Sequence, residues 1–83
     1  MEISNNGKLL QIRQHGDLIL IDTSFVYEAI ITKKTNGATI TGGNAILYYT
    51  FDEKRETNLS FNSEEELRSF IMAYSIAKNG GKN

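Results

Sequence analysis

The sequence predicts an α+β fold: a strongly curved antiparallel sheet of about five strands in meander order, followed by one C-terminal helix packed on one sheet face. Three observations lead to this fold class. Apolar segments separated by turn signals run through residues 9–61, the pair Gly42-Gly43 interrupts one of them, and a helical repeat follows Ser63. With 83 residues and no Cys, the chain is expected to be one small domain, residues 1–83, close to the size at which a single core is marginal.

The first predicted hairpin joins KLLQIR to DLILID through a loop at His15-Gly16, because Gly accepts a positive φ. This loop places Ile12 opposite Ile19 and Leu10 opposite Ile21, which gathers four apolar side chains on one face. The other face then carries Gln11 and Arg13 beside Leu20 and Leu18. The polar ends of the chain, residues 1–6 and 79–83, are expected to fray.

The second predicted hairpin begins with FVYEAIITKK, which is apolar on both faces. It turns at Asn36-Gly37, where a type I′ turn requires positive φ at both loop positions, and it returns through residues 38–51. Gly42-Gly43 inside the return strand indicates a bulge or a sharp bend. A phosphate-binding loop is the functional alternative for these glycines, but neither GxGxxG nor GxxxxGK[ST] accompanies them.

The last third of the chain predicts a charged turn at residues 52–55, then a strand, ETNLSF, with one polar face. Ser63 and Glu66 form a possible capping box at the start of the helix. The helix ends at Gly80 and Gly81. Its apolar face is predicted from the spacing i, i+3, i+4, i+7 and i+10, which selects Leu67, Phe70, Ile71, Tyr74 and Ala77.

One helix of about 15 residues is roughly 22 Å long and covers one sheet face, so the second face needs another cover. The stretch ILYYTF, residues 46–51, is apolar or aromatic on both faces. Because adjacent strand residues point to opposite faces, one of Tyr48 and Tyr49 is expected in the core and the other at an interface. Two solutions stay open: the sheet curls into a partial barrel, or its second face binds another copy or another protein.

The composition disfavours several classes of function. Nine Lys and Arg against ten Asp and Glu give a net charge of −1, without the basic excess that phosphate backbones select, so nucleic-acid binding is disfavoured. His15 lies at a turn, and Asp52, Glu53 and Glu56 form a solvated charged segment with Lys54 and Arg55. We therefore expect no enzyme, no metal and no cofactor. No signal peptide or membrane span is predicted, so a cytoplasmic protein is expected.

A curved antiparallel sheet followed by a C-terminal helix is similar to the PC4-like single-strand-binding fold, and GDLILID and NLSFNSEEEL are the segments that carry the comparison. The extra strand length around Gly42-Gly43 departs from that pattern. The resemblance implies the runner-up function, a single-stranded nucleic-acid-binding protein whose sheet aromatics stack on bases.

The favoured interpretation is a non-enzymatic protein-interaction module, either a homodimer or a small inhibitor or adaptor, acting through its second sheet face. The analogy with virus-encoded inhibitors, which would place the protein in the cytoplasm of a host cell, rests on size and style alone. Tyrosine is enriched at protein interfaces, since its ring is apolar and its hydroxyl tolerates water. The candidate partner-binding residues are Tyr27, Lys33, Lys34, Tyr48, Tyr49 and Phe51.

Overall fold

The computed structural model describes residues 1–81, which form six strands and one α-helix. The strands are β1 (Glu2–Asn6), β2 (Leu9–Gln14), β3 (Asp17–Asp22), β4 (Val26–Asn36), β5 (Thr39–Tyr49) and β6 (Asp52–Phe61), and the helix is α1 (Glu64–Lys78). They make two antiparallel sheets with strand orders β1-β2-β3 and β4-β5-β6. The chain divides into two compact units, Met1–Ser24 with residues 69–81, and Phe25–Arg68.

The α+β class is confirmed, but the single sheet of about five strands is not: six strands form two sheets, and neither closes on itself. A break between β3 and β4 explains the difference. The Asp22 carboxylate accepts hydrogen bonds from the Ser24 backbone N–H at 3.0 Å and from the Ser24 hydroxyl at 2.6 Å. These bonds stabilise a local turn, and a short 3₁₀ helix at Thr23–Phe25 begins there. The strand ladder therefore stops at Asp22.

The first sheet confirms the predicted pairing of β2 with β3, since Ile12 faces Ile19 and Leu10 faces Ile21. His15 and Gly16 both have positive φ, 52° and 81°, as a type I′ turn requires. The expectation that residues 1–6 fray is wrong, because β1 pairs with β2 and places Ile3 opposite Ile12. Gly7, with φ of 59°, makes the tight turn that permits this pairing.

The second sheet begins with the β4–β5 hairpin, whose turn lies one residue later than predicted. Asn36 pairs with Thr39, so the loop is Gly37-Ala38. Gly37 has a φ of 65°, and neither Asn36 nor Ala38 has a positive φ. A turn with one positive φ at its first central position needs Gly only there, as in type II′.

The pair Gly42-Gly43 lies beside a bulge, as predicted. Lys34 pairs with Gly42 while Thr35 pairs with Ile40, which leaves Thr41 as the extra residue of β5. Both glycines are buried. A Cβ atom on Gly42 would collide with the Phe61 carbonyl oxygen, and one on Gly43 would collide with that of Thr32. The glycines thus allow the neighbouring strands to approach, which is a structural role.

Strand β6 begins earlier than predicted. The turn lies at Thr50-Phe51, and residues 52–55 belong to β6 instead of forming the turn. They are nevertheless irregular, because Tyr49 faces Asp52 while Tyr48 faces Glu56, so residues 53–55 have no counterpart on β5. Beyond them the predicted alternation is confirmed, with Leu59 and Phe61 buried, Thr57 half-buried, and Asn58 and Ser60 exposed.

The helix starts and stops where the sequence indicates. Ser63 Oγ accepts from the Glu66 N–H at 3.1 Å, and the Glu66 carboxylate accepts from the Asn62 N–H at 2.8 Å, one residue earlier than in the reciprocal capping box. At the other end Gly80 and Gly81 have positive φ. Gly81 N–H bonds to the Ile76 carbonyl and Gly80 N–H to that of Ala77, which is a Schellman motif. Lys82 and Asn83, expected to fray, lie outside the described residues.

The buried side of α1 consists of Leu67, Phe70, Ala73 and Ala77. The predicted stripe also contained Ile71 and Tyr74, which are half-buried and flank it. Burial raises the pKa of the Tyr74 phenol above its ordinary value. Within residues 1–81, no helix combines the length and the apolar character that crossing a membrane requires.

Candidate functional site

The outward face of the second sheet carries a surface that we call the tyrosine face, made of side chains from β4, β5 and β6. Direct cross-strand partners share a face of a sheet. Ile46 lies between Ile30 and Asn58, and Tyr48 lies between Glu28 and Glu56. The tyrosine face is defined as Tyr27, Glu28, Ile30, Ile46, Tyr48 and Glu56.

The structure decides which of the two adjacent tyrosines is in the core. Tyr49 is 7% exposed, and its hydroxyl forms a hydrogen bond with Thr57 Oγ1. Tyr48 is half-buried and points outward, with its ring centroid 6.3 Å from that of Tyr27. Tyr27 itself is 58% exposed. Two of the predicted partner-binding residues, Tyr27 and Tyr48, are therefore neighbours on one surface, and Tyr49 is behind them.

A bulge in β4 explains how Tyr27 reaches this face. Val26 pairs with Tyr49 and Glu28 pairs with Tyr48, so Tyr27 is an extra residue between two paired positions. Such a residue is free to point out of the ladder. The period-two alternation of side chains along β4 is thus interrupted at Tyr27. Ile30 faces outward with Tyr48, and it is 44% exposed.

The side of the second sheet that carries the tyrosine face is acidic around Tyr48 and basic near the β4–β5 turn, where Lys34 lies. Glu28 and Glu56 flank Tyr48 from the two neighbouring strands. Lys34 lies on the same side of β4 as Glu28, because the strand is regular between them and its period is two. Lys33 is on the opposite side. The two predicted lysines therefore do not act on the same surface.

Phe51 lies away from the tyrosine face, in the β5–β6 turn. Its ring packs edge-on against Phe25 at 5.8 Å and lies 5.4 Å from Tyr49. The Arg55 guanidinium sits 5.8 Å from the Phe51 ring centroid, within cation–π range. Phe25 and Arg55 were not predicted as neighbours of Phe51. Arg55 is one of the three residues at the irregular start of β6 that have no counterpart on β5.

The groups that suggest catalysis or metal binding are dispersed or engaged locally. In the described part of the chain, no three side chains of the types His, Cys, Asp and Glu come together to hold a metal ion. The Asp52 carboxylate accepts from the Lys54 backbone N–H at 3.0 Å, which stabilises its own turn. His15 occupies the hairpin loop that the sequence predicts.

The first unit exposes two further apolar features. Leu18 and Leu20 project from β3 on the mixed face predicted for them, and Met72 lines a shallow groove between α1 and β1 with Ile3 and Ala73.

Comparison of the chain with protein-family models, with curated proteins and with solved structures finds no match.

Proposed function

We propose that this chain is a non-enzymatic protein-interaction module, as a homodimer or as a small inhibitor or adaptor, and that the tyrosine face contacts the protein partner. The observation that carries the proposal is the position of Tyr48, half-buried and outward-facing between Glu28 and Glu56. An aromatic residue framed by carboxylates suits a protein surface that offers apolar and basic side chains.

The apolar content of the tyrosine face supports binding of a protein. Tyr27, Tyr48, Ile30 and Ile46 are contiguous across β4 and β5. Full burial of a large apolar side chain is more favourable than full exposure by roughly 1.5–3 kcal/mol of free energy. A partner that covers this face recovers part of that free energy, and the tyrosine hydroxyls keep their hydrogen bonds with water or with the partner.

The charges of the tyrosine face favour a protein partner over a nucleic acid. Glu28 and Glu56 lie beside the very ring on which a base would stack. A phosphate backbone that follows the base across the sheet meets like charges there, whose repulsion opposes binding. A peptide segment with Lys or Arg next to an aliphatic or aromatic residue meets complementary charges.

Single-stranded nucleic-acid binding is the second candidate. It is supported by the exposed Tyr27–Tyr48 ring pair together with Lys34 on the same side of β4. Stacking platforms combine such rings with basic side chains along the strand path. Only one of the two predicted lysines shares this surface, which weakens the candidate.

The experiment is a selection of peptides from a random displayed library on the immobilised chain, with binding re-measured on two variants. We expect enriched peptides to contain Lys or Arg beside an apolar residue, and to bind about tenfold or more weakly to Tyr48→Asp. Leu18→Asp, which changes an exposed residue of the first sheet, is the matched control and should bind like the wild type.

A parallel titration with a labelled single-stranded oligonucleotide tests the second candidate. Absence of any Tyr48-dependent peptide overturns the proposal. Binding of the oligonucleotide that is lost in Tyr48→Asp and falls steeply with salt also overturns it, because such a salt dependence reports phosphate contacts.

A further inference from the structure

Strand β4 is an edge strand of the second sheet, which has the order β4-β5-β6. An edge strand presents unpaired backbone N–H and C=O groups that can accept another strand. Here the edge is long, eleven residues, and every residue from 30 to 36 is exposed. Apolar side chains project from both faces of it, since Ile30 and Ile31 are consecutive. Such an edge is a template for pairing.

The charges of β4 are complementary to those of a second, antiparallel β4. Glu28 and Lys34 lie on the same side of the strand but six residues apart, about 20 Å, too far to pair with each other. Among residues 1–81 neither has an ion-pair partner. When a second copy runs antiparallel and Ile31 faces its own symmetry mate, Glu28 of each copy lies directly opposite Lys34 of the other.

This register is the one that the charges select. A slip by two residues in either direction removes both Glu28–Lys34 pairs, placing Lys34 opposite Ile30 in one case and Glu28 opposite Thr32 in the other. A slip by one residue puts paired side chains on opposite faces of the sheet, which antiparallel pairing does not allow. Opposite charges directly across an antiparallel pair are stabilising, and like charges are destabilising.

We propose that two copies of this chain associate through their β4 edges in that register, forming one continuous sheet with the order β6-β5-β4-β4-β5-β6. The two-fold axis passes through the Ile31 pair, perpendicular to the sheet. Both tyrosine faces therefore lie on the same side and together form one wider surface. The pairing uses the edge and does not depend on what the tyrosine face binds.

The experiment compares masses in solution by sedimentation equilibrium over a range of protein concentrations. The wild type should be a dimer. Glu28→Lys and Lys34→Glu should each raise the dissociation constant about tenfold or more, because each replaces two attractions by two repulsions. The double variant Glu28→Lys with Lys34→Glu should restore the dimer, since the pairs are re-formed with their signs exchanged.

Two controls separate edge pairing from other modes of association. Lys33→Glu changes the neighbouring lysine, which lies opposite Ala29 of the second copy, and should leave the dimer intact. Tyr48 lies on β5, the central strand of the second sheet, so Tyr48→Asp should also leave the dimer intact. Because Tyr48→Asp is expected to weaken peptide binding without dissociating the dimer, the two losses are distinguishable. Amide hydrogen exchange should show alternate β4 amides protected as concentration rises, since new strand hydrogen bonds form there.

Three outcomes overturn the inference. A wild type that is monomeric at every concentration shows that Lys33 and Lys34 only guard the edge against pairing. A dimer that the double variant does not restore lacks the proposed register. A dimer without new protection in β4, or one that Tyr48→Asp dissociates, is joined through a different surface.

Discussion

At the scale of single residues, two consecutive tyrosines of the second sheet have different environments. Tyr48 and Tyr49 are chemically identical, yet the pleat sends one outward and the other into the core. Burial of Tyr49 is possible because its hydroxyl has a partner in Thr57. Buried hydroxyls without a partner are costly, so this bond is what lets a tyrosine occupy the position.

Tyr49→Asp and Tyr48→Asp should therefore differ in stability. Tyr49→Asp removes a buried ring and places a carboxylate in the core, for an expected loss of roughly 3–5 kcal/mol or more. Tyr48→Asp should retain the wild-type circular dichroism and lose about 1 kcal/mol or less, since the residue is half-buried. Thermal unfolding of the two variants measures the difference, and equal melting temperatures would contradict the assignment of Tyr49 to the core.

Asp22 gives a pH-dependent prediction. Hydrogen bonds from the Ser24 hydroxyl and backbone hold the pKa of the Asp22 carboxyl below its ordinary value. A lowered folded-state pKa means that these bonds stabilise the fold above the unfolded-state pKa, and that the contribution is lost as pH falls through the folded-state pKa. Ser24→Ala should raise the pKa of Asp22 in an NMR titration. The difference in unfolding free energy between the variant and the wild type should shrink in acid.

If that pKa does not move in Ser24→Ala, the hydroxyl does not donate to the carboxylate in solution. Ser4→Ala, an exposed serine on β1, is the matched control and should leave the titration of Asp22 unchanged.

At the scale of elements, the turns decide how far the sequence predicts the sheets. The loop His15-Gly16 has two residues that accept positive φ, so the register of β2 against β3 follows from it and is correct. In the β4–β5 hairpin only Gly37 has a positive φ, and a single Gly fits either central position of a two-residue turn. The sequence alone does not distinguish the two positions.

Two bulges account for the rest of the difference between the predicted and the observed pairing of β4 with β5. Thr41 is an extra residue of β5 near the turn of the β4–β5 hairpin, and Tyr27 is an extra residue of β4 at the other end of the hairpin. Each shifts the pairing by one residue. The turn at Gly37-Ala38 and the inserted Thr41 together place Ile30 opposite Ile46, a pair that the predicted turn does not give. The tyrosine face was predictable as an apolar second face, but its membership depended on these insertions. Strand β1 was missed because Ile3 is its only large apolar residue.

Gly37→Val should destabilise the hairpin through the backbone alone. An added Cβ at Gly37 meets no atom within 4 Å, so the Cβ itself causes no collision. The cost of a positive φ for a residue with a Cβ is about 1–2 kcal/mol. Ala38→Val is the matched control, since Ala38 has no positive φ, and should cost only a few tenths of a kcal/mol. Urea midpoints of the two variants measure the difference, and a larger loss in Ala38→Val would place the strained position there.

At the scale of the whole molecule, each unit has a small set of buried residues and little stability to spare. Leu10, Ile12 and Ile21 are buried in the first unit, and Leu47, Leu59 and Phe61 in the second. The sequence predicted the inward side correctly for all of these residues except Leu47, because apolar alternation marks the inward side of a strand and ILYYTF is apolar on both faces. The half-buried position of Tyr74 was not predictable, since helical spacing shows which residues share a face of the helix but not which of them lie at the buried centre of that face.

Phe70→Ala should cost roughly 3–5 kcal/mol, because Phe70 is fully buried and its ring stacks on Tyr74 at 5.7 Å. That loss is comparable with the whole stability of a small domain. Met72→Ala, on the same helix but 67% exposed, is the matched control and should change the melting temperature little. Similar melting curves for the two variants would mean that the buried side of α1 is misassigned.

The strands of each sheet are joined by turns of two residues, at positions 7–8, 15–16, 37–38 and 50–51. Strand pairs that are adjacent in sequence need little chain closure before their first contacts form, so the search for the native pairing is local and the folding barrier is low. The chain also contains no Pro. No prolyl bond has to isomerise, and refolding has no proline-limited phase. A newly synthesised copy therefore spends little time with the apolar side chains of its strands exposed before the two sheets form.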